Sequence, residues 1–127
     1  MPSVLVIDDE PTLTKVLCSF ICTAIPGVTC VQKNSGADAL DFLADESTDV
    51  RLVFVDLQLA PYDIDGRDLI RRIVTQRPDL RHRIVVCTGE PLSEDDTLFS
   101  VLGCGHLEKP FDLEALKGLV LGAISDG

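Results

Sequence analysis

Acidic, hydroxyl and ammonium side chains follow four separate apolar runs of this 127-residue sequence. Asp8 and Asp9 follow the first run, Asp56 the third and Thr88 the fourth, while Lys109 lies just beyond the fifth. Three neighbouring carboxylates repel one another by about 4 kcal/mol per pair at 4 Å and an effective dielectric of 20. A divalent cation removes this penalty, and Mg²⁺ prefers such oxygen ligands. The pattern therefore predicts a magnesium site.

The same groups suit phosphoryl transfer. An aspartate carboxylate such as Asp56 can act as a nucleophile and form an acyl phosphate. A lysine beside a hydroxyl binds phosphoryl oxygens, and Lys109 with a metal ion would offset their charge. Alternatively, each acid is a solvated loop residue or a helix N-cap. Their recurrence after separate strands argues against that alternative.

Short apolar runs alternate with helical patterns along the whole chain. The predicted strands are Ser3–Ile7, Val28–Gln32, Leu52–Val55, Ile84–Cys87 and Cys104–Leu107. The predicted helices are Glu10–Ala24, Gly36–Glu46, Gly66–Gln76, Ser93–Leu102 and Leu113–Ile124. This alternation predicts an α/β fold with a parallel sheet and right-handed crossovers. Ligands of such sheets bind beyond the carboxyl ends of the strands, where the polar residues lie.

The composition excludes several classes of protein. With 21 acidic and 11 basic side chains, the net charge of −10 disfavours nucleic acid and anionic membranes as partners. No apolar run is long enough to span a bilayer, and the N-terminus lacks the basic region of a secretory signal. Five irregularly spaced cysteines favour a reducing cytoplasm over a disulfide framework. The length predicts one domain, residues 1–127.

The chain resembles the receiver domain of two-component response regulators along its whole length. The motifs that carry the resemblance are LVIDDEP, VFVDLQL, the Asp65-Gly66 pair, VVCTGE and LEKPFD. The resemblance implies a flavodoxin-like, doubly wound five-stranded sheet in the order 2-1-3-4-5 with five helices. It also implies that Asp56 accepts a phosphoryl group from a histidine kinase or a histidine phosphotransfer protein.

Site residues follow from the same resemblance. Asp9, Asp56 and the carbonyl of Gln58 would ligate Mg²⁺, and Asp8 would hold a metal-bound water.

Thr88 and Lys109 would bind the phosphoryl oxygens, and movement of Thr88 would start a conformational switch. Gln58 and Glu90 occupy positions that tune dephosphorylation in the family, and an amide and a carboxylate there predict a phosphoryl lifetime of minutes.

Two features depart from the family pattern. Gly66 follows Asp56 by ten residues rather than eight, which indicates a two-residue insertion around Tyr62. This insertion either changes access to the site or is a tolerated surface insertion. His106 stands where the family has Tyr or Phe, as a switch residue or as a strand residue without a role.

These inferences favour a phosphoacceptor switch over an enzyme. No output domain is expected within this chain, so output is expected through the face of helix 4, strand 5 and helix 5, by docking of a downstream protein or by dimerisation, or else from domains outside the given sequence. A phosphorelay intermediate uses the same chemistry. An Asp-nucleophile phosphatase of the haloacid dehalogenase type would want Asp-x-Asp after its first strand, and a flavin carrier would not place acids beside the cofactor phosphate.

Overall fold

The computed structural model describes residues 2–59, 63–90, 92–109 and 111–125. The strands are β1 (Ser3–Ile7), β2 (Thr29–Lys33), β3 (Val50–Asp56), β4 (Ile84–Thr88) and β5 (Gly105–Glu108). The helices are α1 (Pro11–Ala24), α2 (Gly36–Leu43), α3 (Gly66–Gln76), α4 (Thr97–Ser100) and α5 (Leu113–Ser125), with a 3-10 helix at Pro78–Leu80.

All neighbouring strands are parallel, and their order is β2-β1-β3-β4-β5. The predicted fold class is therefore confirmed. The carboxyl ends of neighbouring strands lie side by side at the predicted site. The pairings of Ile7 with Val55 and of Asp56 with Cys87 show this.

The sheet is covered on both faces, which explains its near-continuous apolar strands. One face packs against α2, α3 and α4 through buried residues that include Val53, Val86 and Ile70. The other packs against α1 and α5 and includes Phe54 and Leu116. Both layers hold the strands in place, so the carboxyl ends of β1, β3 and β4 form a fixed edge.

The fourth helix is much shorter than predicted. The sequence pattern indicated a helix over Ser93–Leu102, whereas α4 covers only Thr97–Ser100. The cap is Asp96, whose side chain accepts a hydrogen bond from the backbone N–H of Leu98 at 3.0 Å. Ser93 instead accepts from the backbone N–H of Asp95 at 3.2 Å and holds a turn. Two residues can cap a helix here, and the later one does.

The expectation of no disulfide is wrong for one pair of cysteines. Cys18 of α1 is bonded to Cys30 of β2, and their Cα atoms are 5.3 Å apart. The helix packs beside the strand and brings the thiols together, a contact that sequence spacing does not reveal. Of the others, Cys22 is exposed and both Cys87 and Cys104 are buried.

Within the described ranges, none of the helices has the length and apolar character needed to cross a bilayer.

Candidate functional site

Two buried carboxylates lie side by side at the carboxyl edge of the sheet. Asp8 follows β1, Asp56 ends β3, and each is 3% exposed. Together with half-buried Asp9 they offer ligand atoms that all lie within 4.8 Å of one another. The sequence prediction that these three acids meet is therefore confirmed in space.

Lys109 is the cation of this cluster. Its Nζ lies 3.1 Å from Oδ2 of Asp8 and 3.1 Å from Oδ2 of Asp56. Burial opposes the charged ammonium, but the carboxylates of Asp56 and Asp8 outweigh burial and raise the pKa of Lys109 above its ordinary value. The lysine thus stays protonated and bridges both acids.

Backbone N–H groups orient the two carboxylates. Oδ1 of Asp8 accepts from the backbone N–H of Glu10 at 3.0 Å, and Oδ1 of Asp56 accepts from that of Gln58 at 2.9 Å. Each acid therefore has one oxygen held by the main chain and one directed to Lys109. This fixed arrangement presents the carboxylates without any side-chain reorganisation.

Thr88 completes the set at the end of β4. Its hydroxyl is buried and accepts from the backbone N–H of Glu90 at 3.1 Å. Its carbonyl accepts from the backbone N–H of Lys109 at 3.0 Å. The threonine and the lysine are thus joined through the main chain, and the lysine side chain reaches the acidic cluster.

Two polar residues that the sequence analysis did not assign support Asp8. The side-chain amide of Asn34 donates to the Asp8 carbonyl at 2.8 Å and to the hydroxyl of Thr14 at 3.1 Å. Thr14 is fully buried in α1 and donates to Gln32 at 2.9 Å. Because Asn34 directly follows β2, its place after a strand end is the signal that identifies it.

The loop after Asp56 is anchored on α2. Both carboxylate oxygens of Asp63 lie 3.0 Å from the backbone nitrogen of Gly36, the first residue of that helix. An acid at a helix N-terminus is electrostatically favourable. The predicted insertion around Tyr62 lies outside the described residues.

His106 lies half-buried on β5, two residues before Glu108, which pairs with Thr88. Its ring centroid is 5.8 Å from that of Phe99 in α4. Among the buried side-chain atoms of the described chain, only its Nε2 lacks a hydrogen-bond partner. The position links the strand beside the site to α4.

The donor set fits Mg²⁺. Carboxylate oxygens of Asp8, Asp9 and Asp56 are hard ligands grouped on one side, which suits an ion that retains several waters. Lys109 offsets part of the repulsion among these carboxylates, which lowers the free-energy cost of placing them together in the folded chain.

A five-stranded parallel sheet in the order 2-1-3-4-5, with an aspartate cluster and a lysine at its carboxyl edge, defines a signalling domain of the receiver class. Residues 4–121 match the family described as "Response regulator receiver domain", and the chain belongs to this family.

Relatives agree with this assignment. The chain is 32% identical over 123 residues to the "DNA-binding transcriptional regulator NtrC" of Escherichia coli strain K12, a match that covers 94% of this chain and 24% of that protein. It thus spans about a quarter of this curated relative. A response regulator receiver protein from Pseudomonas putida is 30% identical with a TM-score of 0.80, covering 95% of this chain and 96% of that chain. A receiver domain of an HD domain-containing protein from Pseudomonas fluorescens Pf-5 is 25% identical, with a TM-score of 0.80 over 98% of this chain and 95% of that one.

Proposed function

We propose that this domain is a phosphoacceptor switch in which Asp56 receives a phosphoryl group from a histidine kinase or a histidine phosphotransfer protein. The observation that carries the proposal is the buried Asp56 carboxylate, held by a backbone N–H and bridged by Lys109 to Asp8. A carboxylate preorganised in this way is a nucleophile, and its phosphorylation changes the charge at the centre of the site. We expect a protein with this function to act in the cytoplasm, where phosphohistidine donors are made.

The residues divide the chemistry among them. A carboxylate oxygen of Asp56 forms a bond to phosphorus while the P–N bond of the phosphohistidine breaks, and the departing imidazole keeps the electron pair and takes up a proton. Lys109 and Thr88 hold the phosphoryl oxygens, since both already lie at this edge.

Asp8, Asp9, Asp56 and the carbonyl of Gln58 would hold Mg²⁺, directly or through water, and bound Mg²⁺ supplies positive charge against the phosphoryl oxygens.

Gln58 and Glu90 set the phosphoryl lifetime in this proposal. Both are exposed and follow Asp56 and Thr88 by two residues each, so an amide and a carboxylate border the site where water must attack. We expect a lifetime of minutes. Decay of phospho-Asp56 in Gln58→Ala tests the role of Gln58, and a rate equal to that of the wild type rejects it.

Output is proposed to pass from Thr88 through His106 to the face of α4, β5 and α5. The contact between His106 and Phe99 supports this route. Large apolar side chains are exposed directly after α4 at Val101 (55%) and in α5 at Leu113 (44%) and Leu121 (44%), which favours docking of a protein partner or dimerisation. A His106 ring that keeps its position when beryllofluoride occupies the site would rule out the switch role.

The decisive experiment is incubation with acetyl phosphate and Mg²⁺ followed by intact mass measurement. We expect a gain of one phosphoryl group in the wild type and none in Asp56→Asn, with Asp41→Asn, at an exposed position of α2, as the matched control that still gains it. No gain in the wild type would contradict the proposal. Transfer from phospho-Asp56 back to a cognate histidine domain would instead favour a relay intermediate.

A further inference from the structure

A bidentate ion pair joins α3 to the start of α4. Nη1 of Arg67 lies 2.7 Å from Oδ1 of Asp96, and Nη2 lies 2.6 Å from Oδ2. The two residues are 29 positions apart in sequence. Among the described residues, the only other ion pairs between residues far apart in sequence are those of Lys109 with Asp8 and Asp56. Parallel bonds of this kind fix orientation as well as distance.

Arg67 lies in the first turn of α3, which packs tightly against the main chain next to Asp56. The preceding residue, Gly66, packs so tightly that a Cβ there would lie 2.6 Å from Cα of Leu57 and 3.0 Å from the carbonyl oxygen of Asp56. The first turn of α3 is therefore pressed against the main chain that carries Asp56. A shift of that main chain would move Arg67 with it.

Asp96 is the N-cap of the short helix α4. The side chain of Asp96 accepts from the backbone N–H of Leu98 at 3.0 Å, and its carbonyl accepts from those of Phe99 and Ser100. A helix of four residues has little stability of its own, so it depends on its cap. The hydrogen bonds from Arg67 hold the pKa of Asp96 at about 2, which keeps the cap charged.

We propose that the Arg67–Asp96 ion pair is a latch that fixes α4 in its resting position and couples it to the loop around Asp56. The pair forms in the unphosphorylated chain and therefore favours that conformation. A conformation in which α4 leaves α3 must break it. Loss of the pair should loosen α4 and shift the population toward the phosphorylated arrangement. The second consequence rests on the phosphorylation of Asp56 proposed above.

Hydrogen exchange of the unphosphorylated domain tests the structural part. Asp96→Asn keeps a good helix cap but removes the charge, and Arg67→Gln removes the other partner. In each variant we expect the amides of Val101, Leu102 and Cys104, which are bonded to carbonyls in α4, to exchange about tenfold faster.

The double variant should exchange no faster than either single variant. Arg72→Gln is the matched control, because Arg72 is exposed on the same helix and forms no ion pair among the described residues. Unchanged exchange in Arg67→Gln, or effects that add in the double variant, would overturn the latch.

The rate of phosphorylation by acetyl phosphate tests the coupling. We expect Arg67→Gln and Asp96→Asn to be phosphorylated about threefold faster than the wild type and Arg72→Gln at the wild-type rate. Equal rates in all four proteins would overturn the coupling. If the wild type takes up no phosphoryl group, the proposed function fails, while the exchange measurements still decide whether the ion pair holds α4.

Discussion

The Nζ of Lys109 lies 3.1 Å from Oδ2 of Asp56, and the same nitrogen lies equally close to Asp8. One ammonium therefore pairs with two buried carboxylates in the unphosphorylated domain. Lys109 thus stabilises the resting domain, in addition to its role in the proposed chemistry. Phosphorylation of Asp56 would give this ammonium a more highly charged partner in the same place.

Lys109→Met should lower the free energy of unfolding by about 3 kcal/mol without Mg²⁺, because two buried carboxylates lose their counter-charge. Added Mg²⁺ should recover a larger part of the stability in this variant than in the wild type, since the ion can take the place of the ammonium. Denaturant unfolding with and without Mg²⁺ measures both effects. Lys15→Met, which removes an exposed cation of α1, should change stability by less than about 0.5 kcal/mol. Equal Mg²⁺ responses in all proteins would contradict the prediction.

Gly66→Ala should distort the site. Its Cβ would lie 2.6 Å from Cα and 2.8 Å from the carbonyl oxygen of Leu57, and backbone atoms cannot move aside as a flexible side chain can. We expect a loss of about 1–3 kcal/mol in the free energy of unfolding and slower phosphorylation of Asp56.

Gly118→Ala is the matched control for Gly66→Ala. Nothing lies within 4 Å of a Cβ at Gly118, which is exposed in α5. Alanine there should stabilise the domain by about 0.5–1 kcal/mol, because it restricts the unfolded chain and favours the helix. We expect the midpoint temperature of thermal unfolding to fall in Gly66→Ala and to rise in Gly118→Ala. A Gly66→Ala variant with wild-type stability and normal phosphorylation would refute the prediction.

Features of this domain that depend on residues close together in sequence could be predicted, and features that depend on contacts between distant residues could not. The strands follow from apolar runs, so their predicted bounds lie within about two residues of those observed, and the meeting of Asp8 with Asp56 follows from parallel pairing alone. The start of α4 could not be predicted because Ser93 and Asp96 are both good N-caps. The pairings of Arg67 with Asp96 and of Cys18 with Cys30 depend on how layers pack, which no sequence period records.

Arg77→Met should destabilise the domain without affecting the chemistry. The guanidinium is buried, donates to the carbonyls of Leu43 and Thr48 at 3.4 and 3.2 Å, and pairs with Asp79 at 2.9 Å. Its loss leaves carbonyls at the end of α2 unpaired, which costs about 2–3 kcal/mol. Urea unfolding measures this cost, and the phosphorylation rate of the folded variant should be that of the wild type.

Arg71→Met is the corresponding change at an exposed arginine of α3 and should cost less than about 0.5 kcal/mol. Equal losses in the Arg77 and Arg71 variants would show that burial of the guanidinium is unimportant.

Thiol counting tests the observed pairing of the cysteines. Under non-reducing conditions the folded protein should react at one thiol, Cys22, because Cys87 and Cys104 are buried and the remaining two are bonded. Unfolding should expose three thiols, and unfolding with a reductant should expose all five. Peptide mapping should place the bond between Cys18 and Cys30. Five reactive thiols in the unfolded, unreduced protein would exclude the disulfide.

Alkaline pH should weaken the fold through Cys87. Burial raises the pKa of this thiol from 9.0 to about 12, and Lys109 offsets only part of that effect. Since the folded pKa is the higher one, the stabilisation is complete below about pH 9 and is lost as the pH rises toward 12. Each unit of pH in that window should remove about 1.4 kcal/mol from the free energy of unfolding. In a Cys22→Ser background, which limits thiol exchange, Cys87→Ala should give a shallower decline between pH 9 and 11 by urea unfolding. An identical slope in the two proteins would show that this thiol ionises as readily in the folded chain as in the unfolded one.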